Sequence, residues 1–338
     1  MGTILIVGAG LSGATVARSL ADAGRTVEVI DRRGHVAGNA HDFIGDHGIR
    51  VHAYGPHLFH TSNREVVDFL SRFTEWMPYR HKVKAMLKDG MLVTLPVNAE
   101  TARIVGPENI ESTFYRPYTR KMWGVDPEML DRDVLARVSV RDDLNEDYFP
   151  DDAFQALPVD GYTRMVERML DHPGIRVRLS TPHRKEMEAR HDHVFTAMSI
   201  DEYFGFDLGV LPYRSIRFET HVIPAPRIFP VATVNFTHAE KYTRVTEWKN
   251  LPGHGDHPSH TVLTFEVPCD FTDNALERHY PVRDREQRNR QLYRRYAARV
   301  PAHMTFIGRC GLYAYLDMHQ AVGSALASAR NFLTNPAG

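Results

Sequence analysis

The pattern of apolar and polar positions divides the chain into an opening α/β stretch, an excursion and a return. Four consecutive apolar residues, Ile4 to Val7, end at Gly8, and a second apolar run from Val27 to Ile30 ends at Asp31. Short unbroken runs of this kind, separated by an alanine-rich helical segment, predict parallel strands buried on both faces. Residues 63–73 place Val66, Val67, Phe69, Leu70 and Phe73 on one helical face. Across residues 77–97 the period shortens: Val83, Ala85 and Leu87 alternate, Asp89-Gly90 marks a hairpin turn, and the apolar run returns at Met91. Helical signals occupy residues 98–135, with Pro127-Glu128 opening the last helix. An amphipathic helix is expected at 161–170, and strands at 175–179 and 193–196 mark a return to the α/β layer. Alternation at 213–222, 231–236 and 261–267 predicts an antiparallel sheet. Helices at about 284–299 and 320–333 flank a late strand that ends at Gly308. The order reads as excursions out of one α/β domain and back, without internal repeats.

The two opening runs enclose Gly8-Ala9-Gly10-Leu11-Ser12-Gly13. Gly8 suits a tight turn, Gly10 a close approach of backbone to a pyrophosphate, and Gly13 close packing of helix on strand. The helix N-terminus offers free N–H groups to phosphate, and Asp31 stands where a carboxylate accepts ribose hydroxyls. Alone, this motif leaves NAD and FAD undecided.

Composition narrows the function classes. The 338 residues are 43% hydrophobic and 25% charged, with a net charge of −1, so no basic surplus draws the chain to nucleic acid or membrane. Two cysteines, Cys269 and Cys310, form no framework, which suggests a reducing compartment. The N-terminal apolar run lacks a basic lead and is broken by glycine, so no signal peptide is expected. No stretch is apolar enough to insert into a membrane, and a cytoplasmic location is expected. Nineteen histidines are mostly scattered, and the single HxH at His191-Asp192-His193 reads as a lead into a strand, so no metal site is expected.

Three further stretches carry candidate chemistry. After Asp31, the loop with Arg32, Arg33, Gly38 and Asn39 can turn N–H groups and a cation toward a diphosphate. In residues 54–61, YGPHLFHT, His57 and His60 are close enough in sequence to share one site. Residues 114–124 hold two tyrosines, a tryptophan and several cations, a set suited to stacking a base and pairing with phosphates. Taken singly, each arginine could equally be a surface ion pair, and each aromatic a core filler.

Taken together these blocks resemble the flavin-dependent UDP-galactopyranose mutase family. The resemblance rests on VGAGLSGA, GNAHD, YGPHLFHT, PYTRKMWG, GYTRMVERML, YRSIRFET, VNFTHAEKYTRVTEW, HYPV and GRCGLYAYLDMHQAV, in the family's order and over nearly the whole chain. It implies an α/β fold. A discontinuous Rossmann-like FAD-binding domain (1–75, 149–205 and 285–338) would carry an inserted antiparallel sheet (76–97 and 206–284) and a small helical domain (98–148). It further implies a homodimer, and FAD that is active when reduced by an external reductant such as NAD(P)H or dithionite. The implied reaction interconverts pyranose and furanose forms of a nucleotide-diphosphate sugar, reduced flavin N5 attacking the anomeric carbon. Carried over by position, Arg137 and Arg244 would clamp the diphosphate, with His57 and His60 near the flavin ring. Trp123 and Tyr118 would meet the base or ribose, Tyr148, Tyr280 and Tyr315 would donate to phosphate oxygens, and Asn98 would join the substrate site. Gly8, Gly10, Leu11, Ser12, Gly13, Asp31, Arg32, Gly38, Asn39, His57, Arg309, Asp317 and Met318 would hold the cofactor.

The chain departs from the family between Val97 and Tyr118, where several helices' worth of sequence is absent. It also departs at Ala37, where glycine is usual, at Thr196-Ala197-Met198 and at Leu312. These departures fall on the base side and the assembly side, leaving UDP-galactose and related GDP- or dTDP-sugars as candidate substrates. Competing readings are an FAD-dependent oxidoreductase of amine-oxidase architecture, a non-catalytic nucleotide-sugar binding protein and an NAD-dependent dehydrogenase.

Overall fold

The computed structural model describes residues 2–130 and 140–335. Among the described residues, the α-helices of seven or more residues are, in chain order, α1 (Leu11–Asp22), α2 (Arg64–Leu70), α3 (Ala99–Val105), α4 (Arg116–Trp123), α5 (Gly161–Leu170), α6 (Arg288–Ala297) and α7 (Met318–Thr334). Five parallel strands run in the order β10 (Ile175–Arg178), β2 (Thr26–Ile30), β1 (Thr3–Val7), β11 (His193–Thr196) and β17 (Met304–Phe306). The expected α/β layer is therefore present, with β1 at its centre because its apolar run can be buried on both sides. Ile4 and Ile6 join a core with α1, α5 and α7, while Leu5 and Val7 face a second core with Tyr203, Tyr213 and Tyr296. Helix α1 lies close to β1 because its inward positions include Ala14 and Ala17, and because Gly13 has no side chain. A Cβ at Gly13 would stand 1.8 Å from the Gly8 carbonyl oxygen. Leu20, fully buried in that face, is worth about 2–5 kcal/mol against alanine.

The second layer is a seven-stranded sheet. Its order is β16 (Tyr280–Pro281), β12 (Tyr213–Ile223), β15 (Thr261–Asp270), β14 (Arg244–Glu247), β13 (Thr233–Phe236), β7 (Val83–Met86) and β8 (Leu92–Leu95). The β7–β8 hairpin is the one expected around Asp89-Gly90. The sheet is not wholly antiparallel as expected: β7 pairs with β13 in parallel register, Val83 opposite Thr233. The hairpin arrives about 150 residues before β13 and is not joined to it by a turn, so nothing forces an antiparallel approach. Smaller pieces bridge the layers: a ribbon of β3 (Asp42–Ile44) and β4 (Arg50–His52), and a sheet of β5 (Phe59–Thr61), β9 (Phe154–Pro158) and β6 (Trp76–Pro78).

In the helical excursion, α3 starts at Asn98, whose side-chain oxygen accepts from Thr101 N at 3.0 Å. Gly124, at φ 71°, ends α4. Where a helix was expected from Pro127 there is a single 3-10 turn, Pro127–Met129, followed by extended Leu130; residues 131–139 lie outside the described residues. The helix expected from about 284 starts at Arg288. Asp284 lies before it and accepts from the Arg288 and Asn289 N–H groups, both at 3.0 Å. Among the described residues no helix is long and apolar enough to cross a membrane.

Candidate active site

The glycine turn has the geometry its sequence demanded. Gly8, at φ 112°, donates its N–H to the Ile30 carbonyl at 2.8 Å and so ties the turn to the neighbouring strand. Helix α1 then opens at Leu11 without a side-chain cap and without an acid in its first turn. The N–H groups of Leu11, Ser12 and Gly13 are thus left for an anion. The GNAHD loop closes over this turn: Ala37 N donates to Ala9 O at 2.9 Å, and a Cβ on Gly38 would stand 3.1 Å from Gly10 Cα. Two side-chain-free backbones facing each other beside an uncapped helix end fit the pyrophosphate of a dinucleotide. Ala37 itself is buried at φ 71°, so it adopts the conformation for which glycine is usual, with alanine's added strain.

Asp31 is drawn into the turn, accepting from Ala9 N at 2.8 Å and Arg33 N at 2.9 Å. Each oxygen keeps a second lone pair for a ribose hydroxyl. Of the two arginines, exposed Arg32 reaches Glu277 at 3.2 Å. Arg33 is the more engaged: it pairs with Glu277, donates to Asn39 Oδ1 at 2.9 Å and lies over the Tyr54 ring at 4.3 Å. Ser12 Oγ lies 3.5 Å from Ala321 O on α7, and Leu11 and Met318 pack against the main core. Asp317 and Gln320 form a capping box that starts α7.

A second group of residues gathers where the layers meet. Gly55, at φ 83°, lets the YGPH loop dock on the large sheet; a Cβ there would lie 2.9 Å from the Phe218 ring and 3.0 Å from Glu266 Oε1. His57 donates from Nδ1 to Gly55 O at 2.8 Å, and its backbone N–H donates to His52 Nδ1 at 3.1 Å. Burial pulls its pKa down to about 4, with the charges of Arg309 and Arg244 acting in the same direction. Arg309 donates to His279 O at 2.9 Å and to Leu316 O at 2.6 Å, and its guanidinium lies 5.3 Å and 5.0 Å from the Tyr280 and Tyr315 ring centres. Those two rings stack at 5.4 Å.

His60 has different surroundings. It stacks on Phe149 at 3.5 Å, its Nδ1 is 2.6 Å from Asp152 Oδ2, and it meets His319 edge-on. The two histidines thus have separate contacts, His57 on Gly55 and His52, His60 on Phe149, Asp152 and His319.

Helix α4 carries Tyr118 and Trp123. The helix is clamped to the large sheet by Lys121, whose ammonium donates to the carbonyls of Phe236, His238 and Tyr242 at 2.7–2.9 Å. Burial brings the Lys121 pKa down to about 8. Arg214 adds a bond to Met122 O at 2.8 Å. Arg116 pairs with Glu111 and Glu128, and Arg120 with Asp126. The cations of this stretch therefore make contacts within the protein, Lys121 with main-chain carbonyls and the two arginines with neighbouring acids. The aromatics are placed otherwise: Trp123 meets the Tyr280 edge at 6.4 Å. Burial pushes the Tyr118 phenol up, and Arg244 draws it back only in part.

Arg244 stands opposite Glu266 in the β14–β15 register, with Nε 2.7 Å from Oε1 and the carboxylate off the N–H axis. The glutamate side chain is 2% exposed and the arginine 25%. Burial opposes the Arg244 charge, but Glu266 and the phenols of Tyr118 and Tyr280 more than offset it and hold its pKa above the ordinary value. Burial, reinforced by Tyr315, pushes Tyr280 up to about 12, so it remains a donor. Tyr148 packs on His81 and Phe149. Asn98 is not brought to this cluster; it is the buried N-cap of α3, which accounts for an asparagine there. Arg137 lies outside the described residues.

Sequence reading missed Glu266, Glu277 and His279. Glu266 carried a usable signal, a lone acid within the apolar TVLTFEV run. Glu277 and His279 sit in irregular chain whose partners are about 240 residues away for Glu277 and 30 for His279.

A Rossmann-type glycine turn near a cluster of tyrosines, with an arginine supplied by the second sheet, is the arrangement of a dinucleotide-binding protein. Comparison with known proteins gives the family. The family model described as UDP-galactopyranose mutase matches residues 113–315, and an NAD(P)-binding Rossmann-like domain model matches residues 6–73. A Klebsiella pneumoniae protein described as "Probable UDP-galactopyranose mutase" is 33% identical over 373 aligned positions, covering 99% of this chain and 95% of the relative. The dTDP-fucopyranose mutase of Escherichia coli is 31% identical, covering 99% of both. Among solved structures, a reduced UDP-galactopyranose mutase superposes with TM-score 0.77 at 15% identity, covering 99% of this chain and 94% of that one. A putrescine oxidase variant superposes at 0.59, also at 15% identity and covering 99% of both chains, a likeness of fold alone. The chain belongs to the UDP-galactopyranose mutase family, a family of isomerases. The family implies a flavin cofactor, which the uncapped α1 terminus and the facing Gly10 and Gly38 suit.

Proposed function

We propose that this protein is a flavin-dependent mutase that interconverts the pyranose and furanose forms of a nucleotide-diphosphate sugar. The observation that carries the reading is the Arg244–Glu266 pair, set among Tyr118 and Tyr280 and close to the flavin-side residues His57 and Arg309. FAD would be held by Gly8, Gly10, Gly13, Gly38 and Asp31, and in its reduced state supplies a nucleophilic N5. The protein's own residues do the rest. Arg244 is a fixed cation for the charge that grows on the departing diphosphate, where preorganised charge helps most. Tyr118 and Tyr280, kept protonated by burial, donate hydrogen bonds to the same oxygens. Trp123 provides a flat face beside Tyr280 for the base or ribose. Holding the diphosphate throughout is what lets it return to the rearranged sugar.

The names of the relatives leave UDP-galactose and dTDP-fucose as the leading substrates, with other GDP- or dTDP-linked sugars behind them. The 373 aligned positions exceed this chain's 338 residues, in keeping with a shortened form. A homodimer is part of the reading and is tested by sedimentation. The catalytic assignment is tested by incubating FAD-loaded, dithionite-reduced protein with a panel of nucleotide sugars. Arg244→Ala should retain flavin and lose turnover; unchanged turnover would remove Arg244 from the reaction.

A further inference from the structure

Three histidines outside this cluster converge on one another. His47 lies in the turn between β3 and β4, and His257 and His260 lie in the loop that leads into β15. The His47 and His260 rings stack at 4.9 Å and 15°, His47 meets His257 edge-on at 5.5 Å, and His257 and His260 are 5.0 Å apart. One ring nitrogen from each lies within 4.8 Å of those of the other two, and all three residues are half-exposed. Tetrahedral zinc–imidazole bonds of about 2.0–2.1 Å put ligand nitrogens roughly 3.3 Å apart. Modest side-chain rotation closes the difference.

The backbones that present these rings are fixed. The Lys249 ammonium, its side chain 2% exposed, donates to the carbonyls of His257, His260 and Pro226. The turn with His47 is docked on the same loop: Arg50 N donates to His254 O at 2.8 Å, and a Cβ on Gly255 would stand 2.4 Å from Gly48 O. Ser259 Oγ is 2.9 Å from His260 Nδ1, where it can accept the Nδ1 proton and leave Nε2 free as a ligand. The Ser259 N–H approaches His257 Nδ1 at 3.4 Å, a weak contact that a metal at that nitrogen would replace.

We propose that His47, His257 and His260 form a binding site for a first-row divalent transition metal, zinc being the expected occupant. Three imidazoles without a thiolate or carboxylate select borderline cations over calcium or magnesium. The metal would tie the β3–β4 ribbon to the 251–260 loop. Beneath that tie, His52 and His254 meet Nε2 to Nε2 at 3.0 Å, and His52 receives the His57 N–H. The site therefore braces the layer under the YGPH loop without touching the cleft.

The test is titration of metal-free, FAD-loaded protein with Co2+, read by its ligand-field bands, followed by displacement with Zn2+. One equivalent should bind in a tetrahedral spectrum, Zn2+ should displace it, and Zn2+ should raise the unfolding temperature. His47→Gln and His260→Gln should each lose the spectrum and the thermal shift while keeping flavin; His221→Gln, at another exposed histidine, should keep all three. The proposal is overturned if no stoichiometric binding occurs, or if His47→Gln and His260→Gln bind the metal as the unaltered protein does.

Discussion

Removal of Arg244 should cost far more stability than removal of its partner's charge. At 2.7 Å, the gross attraction between Arg244 and Glu266 is on the order of 6 kcal/mol for an effective dielectric constant of 20. Most of this offsets the desolvation of the two groups, so the informative quantity is what remains when one is deleted. In Arg244→Ala, Glu266, 2% exposed in the unaltered protein, loses its cation, and breaking a buried pair in this way costs about 3–5 kcal/mol. In Glu266→Gln the stranded group is Arg244, whose side chain is 25% exposed, and water can recover part of the loss. That variant should lose only about 1–2 kcal/mol. The double variant removes both charges and should be more stable than Arg244→Ala alone. Urea unfolding of all four proteins, with FAD saturating and followed by circular dichroism, closes the cycle. Additive losses, or an Arg244→Ala variant within about 0.5 kcal/mol of the unaltered protein, would refute the account of this pair.

Gly13→Ala should yield protein without flavin colour, since its Cβ would fall 1.8 Å from the Gly8 carbonyl; a normal flavin spectrum would contradict the packing. Lys121→Met strands three carbonyls and should loosen α4, weakening nucleotide-diphosphate binding about tenfold or more, the equivalent of one lost charged bond. Flavin content should not change in that variant. Acid should destabilise the protein well above the carboxylate range. Burial holds His81 and His279 down at about 3 and His254 at about 4. Each is neutral when folded and titrates near 6.5 when unfolded, so stability is full above that value and is lost as pH falls toward 4. Each contributes about 2 kcal/mol of that loss by pH 5; a flat stability between pH 7 and 5 would exclude it.

Much of this was legible in the chain because it was local. The glycine turn, the strands on either side of it and the α1 face follow from residues within one βαβ stretch. The β7–β8 hairpin was marked by Asp89-Gly90. Long-range choices were not legible: no local signal told β7 to pair in parallel with β13, or told Arg33 to seek Glu277 in preference to a ligand. The cations of residues 114–124 show the limit most clearly. Their composition suited phosphate, yet Lys121 is satisfied by carbonyls of the 236–242 segment, which sequence distance concealed.

The reduced-enzyme assay bears on the whole account. FAD-loaded protein, reduced with dithionite under anaerobic conditions, is incubated with UDP-galactopyranose and dTDP-fucopyranose and the products separated. Formation of the corresponding furanose, absent in oxidised protein and lost in Arg244→Ala, is the predicted result. Absence of ring-isomerised product from every nucleotide sugar tried, or turnover that consumes oxygen in its place, would contradict it.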